Sequence, residues 1–467
     1  MIPSVSRPLR ALAVAACALL AGCASLSADG GFGPVQDIAA RKLGQKPAWN
    51  RTPEDARRSE ARVAQLLQAD GQRQPRLANA DDAVQIALIN NPELQAAFSE
   101  LGIAEADLVQ AGRLPNPGFS FARTHAGDDI KIERSLTLGL MQLITLPAAS
   151  RIEARRFEQV RLRLAERVLA TAAQTRQAYY RAVASRQGLA YQEQVEQAAE
   201  AAHELAAQMA ARGNFSRLDA AREQLFYAET QTQLQRARRT AQQDQEALAR
   251  LLGVAPAFTL PERLPELPPQ IAAADVADAE RQAMTQRLDV QAARTELDGL
   301  RDSLGLTRAT RFINVLDLGA LRTSESGKAP EIGYEISIEI PLFDWGQARV
   351  AKAEAIYMQS AHKLAAAALD ARAQARLAWR ERQDAYALAR RYRDGIVPLR
   401  KRMSEENLLR YNGMLISVFD LLADAREQAG AVSAAIEAER DFWIADAGLQ
   451  QALGGPVESN KEQGKQP

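Results

Sequence analysis

Two short segments of the sequence place a serine three residues before an aspartate. Ser216 precedes Asp219, and Ser417 precedes Asp420, so the second pair lies 201 residues after the first. This spacing predicts a capping box, in which the serine oxygen accepts from a backbone N–H at a helix start and the carboxylate reaches back. Asp424 lies one turn beyond Asp420 on the same helix face, where it has no capping duty. Capping therefore accounts for two of these three carboxylates, and the third needs another role.

Residues that usually carry catalysis or hold a metal are sparse. His125, His203 and His362 lack the spacing of metal ligands, and no Cys–His pair exists. The sequence contains no Walker motif, no nucleophile elbow and no glycine-rich phosphate loop. Its seven methionines are scattered, which gives no relay for a soft metal ion. We therefore expect neither an enzyme nor a bound cofactor, and the substrate cannot be read from these residues.

Cys23 follows a segment that predicts covalent modification. A basic stretch precedes the apolar run 11–20, which is too short for a membrane-spanning helix but suits a signal-peptide core. The run ends in Leu-Ala-Gly-Cys, which resembles a bacterial lipoprotein cleavage box. Residues 1–22 are then removed and Cys23 carries a covalent lipid, while Ala24 resembles the sorting signal for the outer membrane. The alternative is a conventional cleavage site that happens to be followed by a cysteine.

Composition excludes several classes of partner. The 58 basic and 58 acidic side chains cancel, so nothing favours nucleic acid or an acidic partner. The only other cysteine, Cys17, lies within the predicted signal peptide, so no disulfide can form in the mature chain. No later apolar run approaches the ~18 to 20 residues of a transmembrane helix. A membrane crossing would have to use strands.

The chain is a tandem repeat of a unit of roughly 170 to 180 residues, far longer than the ~20 to 50 residues of solenoid repeats. Leu252 and Gly253 recur as Leu453 and Gly454 at the same offset of 201 as the serine–aspartate pairs. The predicted organisation is a signal peptide (1–22), a lipid-anchored periplasmic segment (23–80), a first repeat (81–254), a proline-rich linker (255–274), a second repeat (275–455) and a polar tail (456–467).

Long helices dominate both repeats. Proline is absent between Pro147 and Pro256, and Ala, Gln, Glu, Arg and Leu, which are strong helix formers, prevail. Each repeat is expected to form a hairpin of two long helices that is broken at Gly213 or Gly413. The predicted arms are 148–211 with 217–252 and 346–410 with 418–453, preceded by shorter helices at 81–112 and 275–309. A two-stranded coiled coil is the alternative arrangement.

A strand hairpin lies between the helices of each repeat, at about 117–147 and about 311–344. Tyr334, Ile336 and Ile338 alternate with acidic or polar residues, which predicts a strand with one apolar face. Such a strand separates core from water in a soluble sheet and lipid from lumen in a transmembrane barrel. Four strands cannot close a barrel, which needs at least ~8, so a barrel would require several copies of the chain.

Ordered motifs across residues 81 to 455 resemble the TolC-like outer-membrane efflux channels, the outer-membrane factors, in their lipoprotein branch. The motifs are Asn91-Pro92-Glu93-Leu94, Leu114-Pro115-Asn116-Pro117, the segment from Ile340 to Gly346, Tyr411-Asn412-Gly413, and Ser417 with Asp420, Leu421, Leu422, Asp424 and Ala425. The resemblance implies a mainly α fold with a β-barrel part. Three copies would form a twelve-stranded outer-membrane barrel, continued by a long periplasmic α-helical barrel whose closable tip docks onto a periplasmic adaptor and an inner-membrane pump.

The same resemblance implies gate residues at the tip. Its candidates are Asp219, Arg410, Tyr411, Gly413, Asp420 and Asp424, of which Arg410 and Tyr411 resemble residues that hold the closed state together. On a pore-lining face, threefold symmetry would turn Asp420 and Asp424 into two acidic rings that favour cations and resist closure. The spacing departs from the family pattern, and capping for the aspartates or a solvated surface for Arg410 stay open as alternatives.

The function that the resemblance implies is a passive exit duct. It would conduct small toxic compounds, drugs or metal ions, through the outer membrane after a pump and an adaptor deliver them. A duct for type I protein secretion and a non-channel periplasmic coiled-coil scaffold are the alternatives. The two-faced strands favour a duct, because a scaffold does not need them.

Overall fold

A computed structural model describes residues 25–68, 75–271 and 275–456. The predicted signal peptide, Cys23 and all but the first residue of the predicted tail lie outside the described residues. The chain forms two compact units. The sheet unit comprises 25–35, 99–164 and 289–368, and the helical unit comprises the described parts of 36–98, 165–288 and 369–456.

Helices and strands follow the duplicated order that the sequence predicts. The described helices are α1 (Gly33–Leu43), α2 (Pro53–Leu66), α3 (Ala80–Asn90), α4 (Pro92–Ala111), α5 (Leu140–Ala211), α6 (Arg217–Leu252), α7 (Val276–Gln286), α8 (Leu288–Ala309), α9 (Gln347–Arg391), α10 (Val397–Asn412) and α11 (Val418–Leu453). The strands are β1 (Gly118–Ala126), β2 (Asp129–Gly139), β3 (Leu316–Glu325) and β4 (Glu331–Ile338). The described fold is thus mainly α with a small sheet.

The repeated Leu-Gly pair ends the second long helix of each repeat. Gly253 after α6 and Gly454 after α11 both adopt the left-handed conformation, with φ of 67° and 72°. A Cβ atom would lie 2.6 Å from the Asn90 carbonyl oxygen at Gly253, and 2.9 Å from the Gln286 carbonyl oxygen at Gly454. Only glycine suits both the backbone conformation and the close approach.

The predicted strand regions were too long. Helix α5 begins at Leu140, so residues 140–147 are helical instead of extended, and Pro147 lies inside the helix. The apolar alternation already fails there, and Thr145 donates to the Met141 carbonyl at 2.9 Å, as a helical threonine does. In the second repeat, the region of about 311–344 contains strands only from Leu316 to Ile338.

Each predicted opening helix is two helices. The breaks fall at Asn91 and Arg287, where the backbone is extended with ψ of 121° and 129°. Pro92 explains the first break, since proline disfavours a helical residue before it. Asn91 serves both ends of the break, because its side chain donates to the Leu251 carbonyl at 2.8 Å and accepts from the Leu94 N–H at 2.9 Å.

The second repeat also has a local distortion in its first long arm. Residues Tyr392–Ile396 form a single π-helical turn between α9 and α10. Pro398 lies two residues after this turn and lacks the N–H that a regular helix would use, which accounts for the local distortion. Asp394 in this turn accepts from Arg390 and Arg393, and these hydrogen bonds lower its pKa to about 2.

The helical unit has a continuous apolar core. It joins α3, α5 and α6 to the segment that was predicted as a linker, where Phe258, Leu260 and Leu264 are buried. The Leu77 N–H donates to the Thr259 carbonyl at 3.0 Å, so the N-terminal segment and the linker pair directly. Burial in this core raises the pKa of Tyr180 to about 12. The linker is therefore part of the packed unit.

Candidate functional site: the two-faced sheet and the helical turns

The four strands form one antiparallel sheet in the order β1-β2-β3-β4. The hairpins of the two repeats join where β2 pairs with β3, with Leu138 opposite Leu318 and Leu136 opposite Ala320. Strands β1 and β4 are the edges of the sheet. Their outer backbone N–H and C=O groups have no strand partner within the described protomer.

The register places apolar side chains of all four strands on one face, here called the apolar face. Its members are Phe119 and Phe121 of β1, Ile130, Ile132, Leu136 and Leu138 of β2, Leu316, Leu318 and Ala320 of β3, and Ile332, Tyr334, Ile336 and Ile338 of β4. Several are strongly exposed, for example Ile332 at 83% and Tyr334 at 80%. An exposed apolar surface of this extent marks contact with a partner or with lipid.

The opposite face, here called the polar face, carries small and charged residues. It contains Gly118, Ser120, Ala122 and Thr124 of β1, Asp129, Lys131, Glu133, Ser135, Thr137 and Gly139 of β2, Asp317, Gly319, Leu321, Thr323 and Glu325 of β3, and Glu331, Gly333, Glu335 and Ser337 of β4. The Ser120 and Ser135 hydroxyls are 2.8 Å apart. The predicted period of two is therefore confirmed, and it suits a sheet with lipid on one side and water on the other.

Aromatic side chains follow the sheet where the chain returns to helix. Phe343 is 99% exposed, and Trp345 packs edge-on against Phe312 with ring centroids 6.4 Å apart. Gly346 adopts φ of 73°, and a Cβ atom there would lie 2.7 Å from the Arg311 carbonyl oxygen. The last glycine of the predicted motif thus permits a close backbone turn, and the aromatic rings have the character of an interfacial belt.

In the helical unit, the turn between α5 and α6 is a Schellman motif. Gly213 has φ of 77° and donates to the Ala210 carbonyl at 3.1 Å, while Asn214 donates to Met209 at 3.0 Å. Ser216 then caps α6 by accepting from the Asp219 N–H at 3.1 Å. The Asp219 carboxylate accepts from the Ser216 hydroxyl at 2.6 Å and pairs with Arg222 at 3.0 Å.

The equivalent turn between α10 and α11 uses a different residue from the predicted one. Met414 takes the left-handed position, with φ of 58°, whereas Gly413 has φ of −80°. The Met414 N–H donates to Tyr411 at 2.9 Å and the Leu415 N–H donates to Arg410 at 2.8 Å. Met414 lies 201 residues after Gly213, so the repeat in the sequence already indicated that Met414 takes the place of Gly213 in the second turn. A methionine in this conformation is strained relative to glycine.

The exposed surface of this second turn is apolar. Met414 is 93% exposed and Leu415 is 76% exposed. Tyr411 is 38% exposed, and the Arg410 guanidinium lies 3.9 Å from the Glu406 carboxylate on the same helix. Within the described protomer, the two predicted tip residues hold the turn through their backbone carbonyls instead of their side chains.

Asp420 and Asp424 have different surroundings, which sequence reasoning did not foresee. Asp420 is exposed and completes the capping box, accepting from the Ser417 hydroxyl at 2.8 Å and the Ser417 N–H at 3.0 Å. These two hydrogen bonds lower its pKa. Asp424 is only 7% exposed, and its Oδ2 atom has no hydrogen-bond partner among the described residues. In the protomer the two carboxylates therefore differ in exposure, and the acidic rings stay a prediction.

A buried ion pair links the two repeats near these turns. Arg426 of α11 donates to Glu223 of α6 at 2.5 Å, and the Glu223 side chain is 5% exposed. The Arg426 guanidinium also lies 4.1 Å from the Phe226 ring centroid. Sequence reasoning missed this pair, because residues 203 apart in the chain carry no local signal of contact.

The part of the chain that the structure describes has neither a cluster of metal ligands nor a helix that could span a membrane. No group of three or more His, Cys, Asp or Glu side chains within 25–68, 75–271 and 275–456 could hold a metal ion. In the same part of the chain, every helix is too short or too polar to cross a membrane.

Comparison with solved structures identifies the fold. Matches include the outer-membrane channel OprN (TM-score 0.68, 18% identity, covering 80% of this chain and 90% of that chain), the outer membrane protein VceC of Vibrio cholerae (0.67, 16%, 81% and 97%) and the open state of the MtrE outer membrane channel of Neisseria gonorrhoeae (0.65, 19%, 82% and 90%). This chain has the fold of outer-membrane channels. No protein-family model and no curated protein matches the sequence.

The fold confirms the resemblance to outer-membrane channels, whereas the assignment to their lipoprotein branch stays a prediction. These structural neighbours are channel proteins and not enzymes. Within this fold, the strand hairpins and the helical turns are the features that could contact a membrane and a partner.

Proposed function

We propose that the chain is the outer-membrane exit duct of a tripartite efflux system. It passively conducts small toxic compounds, drugs or metal ions, that an inner-membrane pump expels through a periplasmic adaptor. The observation that carries the proposal is the two-faced sheet within an outer-membrane channel fold, with Ile332 and Tyr334 among its most exposed side chains. A periplasmic coiled-coil scaffold has no use for such a sheet.

The sheet edges support a homotrimer. In hydrocarbon, every unpaired backbone group costs several kcal/mol, so β1 and β4 must find partners. Four strands cannot close, but β4 of one copy can pair with β1 of the next, and three copies give twelve strands. The apolar faces then form the lipid-facing surface, and Glu133, Glu331 and Glu335 face the lumen.

The predicted lipid on Cys23 supplies a second membrane anchor. A barrel that spans the membrane anchors the protein far more strongly than a covalent lipid does, so the barrel is the proposed main anchor in the outer membrane. We therefore expect Cys23→Ala to abolish lipidation while trimer assembly survives. A folded, soluble periplasmic monomer of Cys23→Ala would refute the barrel.

The helical turns are the proposed contact with the adaptor and the site of the gate. Met414 and Leu415 offer an exposed apolar contact at the second turn. Asp420 is exposed, and an aspartate carboxylate is charged at neutral pH, so three copies would present an acidic ring that favours cations. Asp219 contributes a second capped carboxylate at the first turn.

Assembly and conductance test the proposal. The purified protein should scatter light as a trimer in mild detergent and should form channels in planar bilayers. Multivalent cations added on the periplasmic side should block the current, and Asp420→Asn should weaken that block. The matched control is Asp55→Asn, which alters the capping box of α2 and should leave the block unchanged. A monomer with native secondary structure and no conductance would refute the duct.

Buried Asp424 gives a second comparison. Because its carboxylate is covered within the protomer, Asp424→Asn should change the block less than Asp420→Asn does. The opposite ranking would mean that the trimer opens this surface and that Asp424 forms the pore-mouth ring.

A further inference from the structure

The charged side chains of the four strands are sorted by sign between the two faces, with Lys131 as the one exception. All six carboxylates, at Asp129, Glu133, Asp317, Glu325, Glu331 and Glu335, lie on the polar face together with Lys131. The remaining cationic side chains, Arg123, Arg134 and Arg322, lie on the apolar face, where His125 is also placed. Alternation alone explains polar residues on one face, but it does not explain arginines on the other.

The three arginines are neighbours. Arg134 of β2 lies directly opposite Arg322 of β3, and Arg123 of β1 lies opposite Ile132, one diagonal step from Arg134. All three side chains are exposed, and none forms an ion pair with any residue that the structure describes. Like charges directly opposite each other on adjacent strands repel. The cluster therefore lacks a counter-anion among residues 25–68, 75–271 and 275–456.

The arginine cluster lies at one border of the apolar face. Arg322 pairs with Ile332, and six residues further along the two strands Leu316 pairs with Ile338. The apolar band between these two pairs is therefore ~20 Å long. Beyond the pair of Arg123 and Ile132 come only the pair of His125 and Ile130 on this face and then the hairpin turns, while the helices continue from the opposite ends of the strands. A barrel of this topology would place the arginines where the outward-facing hydrocarbon ends, and not at its centre.

We propose that Arg123, Arg134 and Arg322 form a binding site for the phosphate groups of an anionic lipid in the outward leaflet. The inference rests on the proposed barrel. Guanidinium groups bind phosphate oxygens in pairs and are less strongly hydrated than ammonium groups, which suits a site at the edge of hydrocarbon. The lipid chains would lie on Phe119, Leu136 and the other apolar side chains below. The phosphate supplies the counter-anion that the described part of the chain lacks, and a trimer carries three such sites.

Binding to lipid A tests the proposal. The detergent-solubilised trimer is incubated with bisphosphorylated lipid A, with monophosphorylated lipid A or with phosphatidylcholine, and bound lipid is counted by native mass spectrometry. We expect preference for the bisphosphorylated lipid. The triple variant Arg123→Gln, Arg134→Gln, Arg322→Gln should bind it at least ~10-fold more weakly, the loss of about one charge-assisted contact.

Lys131→Gln is the matched control, because it removes a positive charge from the same sheet on the polar face, where Lys131 pairs with Glu133 at 2.5 Å. It should bind as the parent does. If the triple variant fails to assemble, Arg123→Gln on the edge strand β1 should still show an intermediate loss. Equal binding of all three lipids, or equal loss in Lys131→Gln, would overturn the proposal.

Two further readouts separate the possible failures. Inorganic phosphate at millimolar concentration should not displace the lipid; complete displacement would mean a site for the free anion and would refute the lipid site. Conductance is measured on the same preparations. A parent protein that conducts but shows no phosphate preference overturns only this inference, whereas one that neither assembles nor conducts overturns the proposed function.

Discussion

A lysine placed on either face of β4 gives the sharpest test of the lipid-facing sheet. Ile336 and Ser337 are adjacent in the strand, but Ile336 lies opposite Leu318 on the apolar face and Ser337 lies opposite Asp317 on the polar face. Ile336 is two residues from the end row at Ile338 and four from the arginine row at Ile332, so it lies inside the apolar band. Ile336→Lys therefore puts a charge into hydrocarbon, whereas Ser337→Lys puts the same charge beside a carboxylate.

The expected difference is large. A lysine on the lipid face costs ~2 to 4 kcal/mol at the bilayer midplane and ~0 to 1 near the interface, so we take ~2 kcal/mol for Ile336. Three copies give ~6 kcal/mol per trimer, which corresponds to a factor of ~10⁴ in the assembly equilibrium. The same lysine at Ser337 should cost little in a water-filled lumen.

The assay is unfolding by urea in liposomes, together with the fraction of trimer that survives mild detergent. Ile336→Lys should lower both strongly, and Ser337→Lys should stay close to the parent protein. Equal destabilisation by the two variants would refute the assignment of the faces. The reverse order would mean that the sheet faces water on its apolar side.

Three other predictions concern the helical unit. Met414→Gly should raise the free energy of unfolding by ~1 kcal/mol, because glycine takes a φ of 58° without strain. Gly413→Ala should change the free energy of unfolding little, because φ there is −80°. Thermal denaturation of the two variants measures both effects. Gly253→Ala should destabilise the fold by ~1 to 3 kcal/mol, because its Cβ would lie 2.6 Å from a carbonyl oxygen. Gly188→Ala, in open space within α5, should be neutral or should stabilise the fold by up to ~1 kcal/mol. Urea titration measures both variants, and equal effects would contradict the packing around Gly253. Hydrogen bonds from Arg393 and Arg390 lower the pKa of the Asp394 carboxyl from its ordinary value of 3.8 to about 2, so the stability that this carboxylate contributes is present above pH 3.8 and is lost as pH falls through about 2. Carboxyl NMR should show a midpoint near 2, and a midpoint near 4 would refute the pairing with both arginines.

Local patterns in the sequence predicted much of the fold. The offset of 201 predicted a second copy of the helical turn, and runs of strong helix formers predicted long helices that the structure has as α5, α6 and α11. Alternation around Tyr334 predicted a two-faced strand. These features are decided by interactions between near neighbours in the chain, such as helix propensity, capping and the period of the strand, so they can be read without the fold.

Errors arose where local rules compete. Residues 140–147 carry apolar side chains that suit either a strand or a helix, and the structure continues them into α5. Gly413 is the obvious break by composition, yet Met414 takes the left-handed position because the hydrogen bonds to Arg410 and Tyr411 fix the register of the turn. The burial of Asp424 could not be predicted either, because the sequence of a helix defines its faces but not which other part of the chain packs against each face.

The sequence by itself therefore determined the duplication, the long helices, the period of the strands and the motifs of the outer-membrane channel fold. Only the tertiary structure decided which strands are neighbours, and with them the arginine cluster. Arg134 and Arg322 are far apart in the chain and meet because β2 pairs with β3 in one particular register. A shift of that register by one residue would move every side chain of a strand relative to its neighbours, and no local pattern within either hairpin specifies it.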